Sequence, residues 1–162
     1  MAILKIITGE DNKILRTRSS VVLKFDARLK KFARDLKETM IKRDGLGLAS
    51  PQVAQNIRVI VVTFNYKREN ERIVAMVNPD IVEKSDEMEI GEEGCLSLPG
   101  RFGKVTRHKM IVVEFSDLEG IKQVLKLAGL NARVVQHECD HLDGVLFVDK
   151  MVKGEKEENL LI

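Results

Sequence analysis

The segment from Gln136 to His141 carries the side chains whose types and spacing best fit catalytic chemistry. It reads Q-H-E-C-D-H, which places Glu138 directly after His137 and repeats histidine four positions later. On a helix of about 3.6 residues per turn, two histidines at this spacing share a face and can bind one ion. Glu138 then lies beside the ion and is free to move a proton. The segment therefore predicts a metal-dependent hydrolase in which Glu138 acts as general base.

A catalytic metal site needs a third protein ligand and one open position, and the sequence offers several candidates. In the metzincin pattern the next ligand falls at Phe147, whose side chain cannot bind a metal, so that family is excluded. A thermolysin-like ligand would have to be Glu155, Glu157 or Glu158, in a polar tail with little room for another helix. His108 lies between two basic residues at the start of a predicted strand, and we expect it to be exposed.

Cys95 is the leading candidate for the third ligand. It lies in the segment E-E-G-C-L-S-L-P-G over residues 92–100, where glycines and a proline mark an irregular, stiffened stretch that can present a thiolate. Cys139 is within the helical motif, but it projects about 200° around the helix from His137. We expect Cys139 to be a small buried apolar residue.

The chain has 162 residues and a mass of 18.3 kDa, which suits one domain with its own core. We predict a single catalytic domain over residues 1–162, with a polar tail from about residue 150. The net charge of +2 does not favour nucleic-acid binding. No apolar run reaches the roughly 20 residues needed to cross a bilayer, and the N-terminus does not resemble a signal peptide. We therefore expect a cytoplasmic protein without a disulfide bond.

Periodic apolar residues predict a helix over residues 26–43, with Asp26 as N-cap and Gly45 at its end. A second helix, over residues 128–143 and ending at Gly144, carries the histidine motif. Apolar and β-branched runs predict strands over residues 57–64, 72–82, 110–115 and 121–127. This order predicts an α+β fold, in which antiparallel or mixed sheets pack around a central helix with the metal motif. The first helix is N-terminal to the sheets.

A glycine-rich segment, GLGLASPQ at residues 45–52, lies between the first helix and the first strand. It is not a phosphate-binding loop, because no Gly-Lys-Ser/Thr follows, and it is not a dinucleotide fingerprint, because it follows a helix. The end of the helix and a turn account for part of the pattern. Two closely spaced glycines also let backbone approach a ligand, and Gln52 adds a neutral amide donor.

The three segments together resemble one family, the peptide deformylases, which remove the formyl group from the N-terminal methionine of new bacterial and organellar proteins. The motifs of that family run G-φ-G-φ-A-A-P-Q, E-G-C-φ-S and Q-H-E-φ-D-H-φ-x-G, where φ is apolar. This chain reads GLGLASPQ at 45–52, EGCLS at 93–97 and QHECDHLDG at 136–144, in the same order and at similar spacing. The likeness covers nearly the whole chain.

The resemblance implies a role for each matching residue. The metal ligands would be Cys95, His137 and His141. Glu138 would take a proton from water and pass one to the leaving amine. The oxyanion would be bound by the metal, the side-chain amide of Gln52 and the backbone N–H of Leu96. Substrate binding would involve Leu46, Gly47, Glu93, Leu130, Arg133 and Val134, and the resemblance also gives Glu93 and Gln136 the task of holding the ligands in place.

The resemblance also implies one divalent metal ion per chain, with Fe²⁺ as the native ion and Zn²⁺, Ni²⁺ or Co²⁺ as alternatives. The partners would be formyl-methionyl nascent peptides and, transiently, the ribosome, with no nucleic acid and no membrane. The short tail lacks most of the basic C-terminal helix that some relatives use at the ribosome. The location would be bacterial-type cytoplasm or an organelle.

Three positions differ from the family pattern. Ser50 replaces the second alanine of the first motif, and we expect little effect. Gly91 lies where some relatives carry a larger apolar residue near the methionine pocket. After Pro99 the chain is shorter than in some relatives, which leaves open whether Arg101 contacts the peptide.

Two alternative functions follow from the same residues. A hydrolase with the deformylase fold, acting on another small amide, would show no preference for formyl-methionine. A non-catalytic metal-stabilised module would close its site with a fourth ligand, either His108 or a glutamate. Glu138 and Gln52 favour an enzyme, because a structural site uses neither.

Overall fold

The structure, a computed structural model, describes residues 2–154 and the backbone of residues 158 and 159. This part of the chain contains two α-helices, α1 (Ala27–Lys42) and α2 (Gly129–Leu142). It also contains eight strands, β1 (Gly47–Ala49), β2 (Val59–Phe64), β3 (Arg72–Lys84), β4 (Met88–Cys95), β5 (Leu98–His108), β6 (Met110–Ser116), β7 (Lys122–Ala128) and β8 (Glu158–Asn159). Two short 3₁₀ helices span Ser50–Val53 and Phe147–Lys150. The predicted α+β arrangement is confirmed.

The described strands form two antiparallel sheets. The larger has the order β1-β2-β3-β6-β7, and the smaller has the order β4-β5-β8. In the smaller sheet the register shifts between Gly94 and Cys95, where β4 ends. Residues 99–101 of β5 have no partner on β4 at this point, because Gly94 pairs with Phe102 and Cys95 pairs with Leu98. The irregularity expected around Cys95 is therefore a break in register at the end of a regular strand.

β2 is buried along its whole length because helices cover both of its faces. Ile60, Val62 and Phe64 lie in one core cluster with the buried face of α2, and Val59 and Val61 lie in another with the buried face of α1. Alternate residues of a strand point to opposite faces, so the two clusters are on opposite sides of the larger sheet. The sheet therefore holds α1 and α2 apart on its two faces.

α1 begins where the sequence predicted. The Asp26 carboxylate accepts the backbone N–H of Leu29 at 3.0 Å, as an N-cap does. The end of the helix differs in detail from the prediction, because Asp44 rather than Gly45 adopts the left-handed conformation, with φ of 53°. The N–H of Gly45 then donates to the carbonyl of Met40 at 3.0 Å.

Two long strands, β4 and β5, were not predicted. β4 has only one side facing the protein, so its sequence mixes exposed and buried residues and lacks an apolar run. His108 ends β5 rather than starting a strand, and it is half-buried rather than exposed. Its Nδ1 lies 2.7 Å from the carbonyl oxygen of Ser85.

The polar tail predicted from about residue 150 lies partly outside the described residues, including Glu155 and Glu157. The backbone of residues 158 and 159 pairs with Arg101 and Phe102 of β5. Both cysteines are free thiols, as expected. Within the described part of the chain, neither helix has the length and apolar character needed to span a membrane.

We expect Gly144→Ala to destabilise the fold more than Gly129→Ala, at the other end of α2. Both glycines have positive φ, 75° and 59°, a conformation that costs alanine roughly 1–2 kcal/mol. A Cβ at Gly144 would also lie 2.5 Å from the carbonyl oxygen of Arg16, which adds about 1–3 kcal/mol of overpacking. At Gly129, nothing in the described part of the chain lies within 4 Å of the added Cβ. Urea unfolding measures both losses, and equal losses would contradict the backbone clash.

Candidate active site

The structure brings Cys95, His137 and His141 together. One ligand atom from each lies within 4.8 Å of the others, and Cys95 Sγ is 3.3 Å from Nε2 of His141. The histidines come from adjacent turns of α2, and the cysteine is the last residue of β4, at the shift in register. Two separate elements therefore build the cluster.

The outward nitrogen of His137 is selected by its neighbour Glu93. Nδ1 of His137 lies 2.7 Å from a carboxylate oxygen of Glu93, and a carboxylate can only accept, so Nδ1 carries the proton. Nε2 of His137 is then left for a ligand. Burial is the largest cause that lowers the pKa of His141, and it favours the neutral, metal-binding form.

The donor set of one thiolate and two imidazoles fits a divalent transition metal. Metal binding uses the thiolate form of a cysteine and the neutral form of each histidine. His108, the proposed fourth ligand of a closed site, is outside it, because its ring contacts Ser85. Among the described residues, three protein ligands converge here, which leaves one coordination position for a substrate or water.

The carboxylate of Glu93 is fully engaged by protein groups. One oxygen accepts from Nη2 of Arg107 at 2.8 Å, and the other accepts from Nε of Arg107 at 2.9 Å and from Nη1 of Arg133 at 2.7 Å. Burial opposes the ionisation of Glu93, but the hydrogen bonds from Arg107 and His137 outweigh it and hold its pKa well below the ordinary value. Glu93 therefore positions His137, and its expected contact with substrate stays a prediction.

Glu138 is a buried carboxylate with an oxygen to spare. It is only 4% exposed, and its Oε2 has no hydrogen-bond partner among the described residues. Burial raises its pKa from 4.5 to about 7. Gly47 of β1 passes directly beside this group, and a Cβ there would lie 2.7 Å from Cδ of Glu138. The glycine leaves room for the carboxylate.

Gln52 points its amide nitrogen at the cluster. Its Oε1 accepts the backbone N–H of Ala49 at 2.9 Å, which leaves Nε2 at 3.5 Å from Cys95 Sγ and 3.3 Å from the hydroxyl of Ser97. The N–H of Leu96 donates to no protein acceptor in the described part of the chain. Two neutral donors are thus available beside Cys95.

A cavity of about 470 Å³ opens in front of these groups. Every residue predicted to bind substrate lines it, namely Leu46, Gly47, Glu93, Leu130, Arg133 and Val134. The predicted catalytic residues and the ligands Cys95 and His137 line it too, whereas His141 lies behind them. Leu130 is half exposed at the mouth, and Val134 is buried.

Sequence reasoning missed two residues of the site, Arg107 and Phe102. Arg107 neutralises Glu93 and also donates to Asp140 at 2.5 Å, and Phe102 lines the cavity. No local pattern marks them, because their partners are distant in sequence. Arg101, left open from the sequence, pairs with Glu10 at 2.9 Å and is not among the residues that line the cavity.

Cys95→Ser is expected to remove the bound metal, and Cys139→Ser is its matched control. Cys139 is buried outside the cluster, and burial raises the pKa of its thiol to about 12, so it remains a neutral thiol. We expect the parent and Cys139→Ser to retain one divalent ion per chain after dialysis. Elemental analysis measures this, and the thiolate charge-transfer band of Co²⁺-loaded protein reports the ligand. Metal retention with an unchanged band in Cys95→Ser would contradict the assignment.

Glu93→Gln should destabilise the protein at neutral pH by about 3–5 kcal/mol, because it leaves buried guanidinium charge unmatched. The pKa of Glu93 is lowered in the folded state, so its stabilisation is present above the unfolded value and is lost as the pH falls below it. The gap between parent and variant should therefore narrow on acidification. Denaturant unfolding from neutral to acidic pH tests this, with the exposed neighbour Glu92→Gln as control. A gap that widens on acidification would contradict it.

Residues 3–157 match the family model described as polypeptide deformylase. A peptide deformylase from Finegoldia magna is 41% identical over 155 residues, covering 96% of this chain and 94% of the relative. A peptide deformylase from Caldicellulosiruptor bescii is 44% identical over 160 residues, covering 99% of this chain and 92% of that relative.

Solved structures agree with the sequence comparison. The crystal structure of peptide deformylase from Thermotoga maritima has a TM-score of 0.88 at 40% identity, covering 94% of this chain and 99% of that one. A class I type b peptide deformylase from Acinetobacter baumannii, solved with Met-Ala-Ser bound, has a TM-score of 0.85 at 37% identity, covering 93% and 99%. On this agreement over nearly its whole length, the chain belongs to the polypeptide deformylase family.

Proposed function

We propose that this chain removes the formyl group from the N-terminal formyl-methionine of newly made proteins, in a metal-dependent hydrolysis. The observation that carries the proposal is the buried carboxylate of Glu138, with one oxygen unpartnered among the described residues, beside the cluster at the back of the cavity. A structural metal site has no use for such a group. The non-catalytic alternative is disfavoured for that reason.

Cys95, His137 and His141 would hold the metal ion. When bound, a divalent cation supplies Lewis acidity to the formyl carbonyl and to the attacking water. We propose Fe²⁺ as the native ion, as the family resemblance implies. Zn²⁺, Ni²⁺ and Co²⁺ suit the same ligands, since imidazole and thiolate bind all four.

Glu138 moves the proton. As a carboxylate it accepts a proton from water as the water attacks the formyl carbon, and it then donates that proton to the departing amine. Burial holds its pKa above the ordinary value, so the protonated form is accessible near neutral pH. The narrow space beside Gly47 keeps the carboxylate directed into the cavity.

The negative charge that develops on the formyl oxygen is stabilised by two neutral donors. Nε2 of Gln52 is fixed by the bond between its Oε1 and the N–H of Ala49, and the N–H of Leu96 completes the pair. Preorganised donors of this kind need no reorientation during the reaction. They therefore lower the barrier rather than only improve binding.

The peptide is held through its main chain and its first side chain. β1 is the end strand of the larger sheet and pairs with β2 on one side, so the backbone at Gly47 can pair with an extended peptide on the other. Leu46, Leu130 and Val134 supply apolar surface for the methionine. The relative from Acinetobacter baumannii, solved with Met-Ala-Ser bound, supports a methionine peptide as ligand.

We also propose that α2 is the central helix, with residues 1–162 forming one catalytic domain. Contacts of α2 with strands of both sheets and with the first 3₁₀ helix support this. The bacterial relatives support action on nascent chains in the cytoplasm. Transient contact with the ribosome is proposed on the family resemblance alone.

Glu138→Gln tests the reaction while preserving shape. Formate release from formyl-Met-Ala-Ser, under anaerobic conditions with iron- or nickel-loaded protein, should fall at least about 10²-fold, because the general base is lost. Metal content should be unchanged. Glu87→Gln, an exposed glutamate outside the cavity, is the control and should match the parent.

As the pH is lowered, the rate of formate release by the parent should fall with an apparent pKa above 4.5. The reason is that burial raises the pKa of Glu138, whose ionised form is lost as the pH falls.

No release of formate by the fully metallated parent would contradict the proposed function and would favour another small amide as substrate.

A further inference from the structure

Arg133 crosses from α2 to the smaller sheet and is fixed there. It is only 8% exposed, although it lies one helical turn before His137 on the cavity side of the helix. Nη1 donates to Glu93 at 2.7 Å and to the carbonyl of Val105 at 2.9 Å, and Nη2 donates to the carbonyl of Glu89 at 2.7 Å. Three acceptors on β4 and β5 therefore hold the guanidinium in one place.

Gly91 of β4 makes this position possible. A Cβ at Gly91 would lie 2.8 Å from Cζ, 2.9 Å from Nε and 3.0 Å from Nη2 of Arg133. Gly91 pairs regularly with Val105 and does not have a positive φ, so its backbone conformation does not require glycine. The space taken by the guanidinium is the reason for the glycine.

The positive charge of Arg133 is paired, so this wall of the cavity does not present an unmatched cation. Glu93 balances it with a direct hydrogen bond, and the two carbonyls take up further N–H groups. An apolar side chain in the cavity therefore meets the paired guanidinium and its methylene stem rather than an unmatched charge.

We propose that Gly91 and Arg133 form a matched pair that sets the width of the pocket for the first side chain of the formylated peptide. The bare backbone at Gly91 admits the guanidinium, and the guanidinium fills the space that an apolar side chain at position 91 would occupy. Arg133 is the specificity-determining residue, and Gly91 is a positioning residue that acts through it. The inference rests on the proposed function and identifies the part of the site that selects methionine.

The test compares the parent with Gly91→Val, Arg133→Ile and the double variant. Formate release is measured from formyl-Met-Ala-Ser and formyl-Phe-Ala-Ser. Gly91→Val should lower kcat/KM for the methionine peptide about tenfold or more, because the valine drives the guanidinium into the pocket. Arg133→Ile empties the space beside Gly91, and the ratio of kcat/KM for the phenylalanine peptide to that for the methionine peptide should rise about tenfold.

In the double variant the valine occupies the space that the guanidinium has left. The kcat/KM for the methionine peptide and the phenylalanine-to-methionine ratio should therefore both return towards the values of the parent. This non-additivity is the signature of a coupled pair. Gly103→Ala, in the facing strand β5, is the control for general damage to the sheet. Its Cβ would lie 2.6 Å from the end of the Met151 side chain and outside the cavity, so the ratio should not change.

A double variant whose effects equal the product of the two single effects would overturn the proposal. The proposal would also be overturned if all three variants lost stability while the phenylalanine-to-methionine ratio of kcat/KM stayed unchanged. That result would indicate a structural role alone. Calorimetric binding of Met-Ala-Ser and Phe-Ala-Ser to each metal-loaded protein gives the same comparison without turnover. A parent that binds Met-Ala-Ser selectively but releases no formate would contradict the proposed reaction and support the proposed pocket. Equal binding of both peptides by the parent would contradict the proposal that this pocket selects methionine.

Discussion

The buried carboxylate of Glu93 is the interaction on which the rest of the site depends. It lies on β4 and accepts hydrogen bonds from Arg107 on β5 and from His137 and Arg133 on α2. The three candidate metal ligands lie on β4 and α2, so this single group fixes the relative position of the two elements that carry them. Removing charges from water is costly, and a buried ion pair is tolerated only where every hydrogen-bonding atom finds a partner. Both carboxylate oxygens of Glu93 have such partners.

The network also extends beyond Glu93. Arg107 is shared between Glu93 and Asp140, and Asp140 in turn accepts from Lys150 at 3.0 Å. The carboxylate of Glu138 is kept out of this arrangement and retains a free oxygen within the described structure. Two glutamates in the same site therefore have opposite properties, since Glu93 stays ionised and Glu138 takes up a proton easily. Their hydrogen-bond partners, rather than their residue type, create the difference.

The sequence predicted the elements that carry a strong apolar period, including both helices and the buried strand β2. It also identified Cys95, because the histidine motif lacked a downstream ligand. It could not show β4 and β5, whose exposed faces mix polar residues and glycines into the strand pattern. Nor could it assign the partners of Glu93, because hydrogen bonds between residues 14 to 44 positions apart leave no local pattern. The sequence could therefore predict which residues lie at the cavity. It could not predict which of them contact a ligand and which hold another side chain in place.

The bare backbone of β1 beside Glu138 has a consequence for the range of substrates. A strand that meets its ligand through N–H and C=O groups reads the direction and extension of a chain but not its side chains. Under the proposed function, every newly made protein presents the same main chain beyond its first residue. Recognition through the backbone at Gly47 thus lets the enzyme accept many sequences beyond the first residue of the peptide. Selectivity is then confined to the first side chain, which enters the cavity.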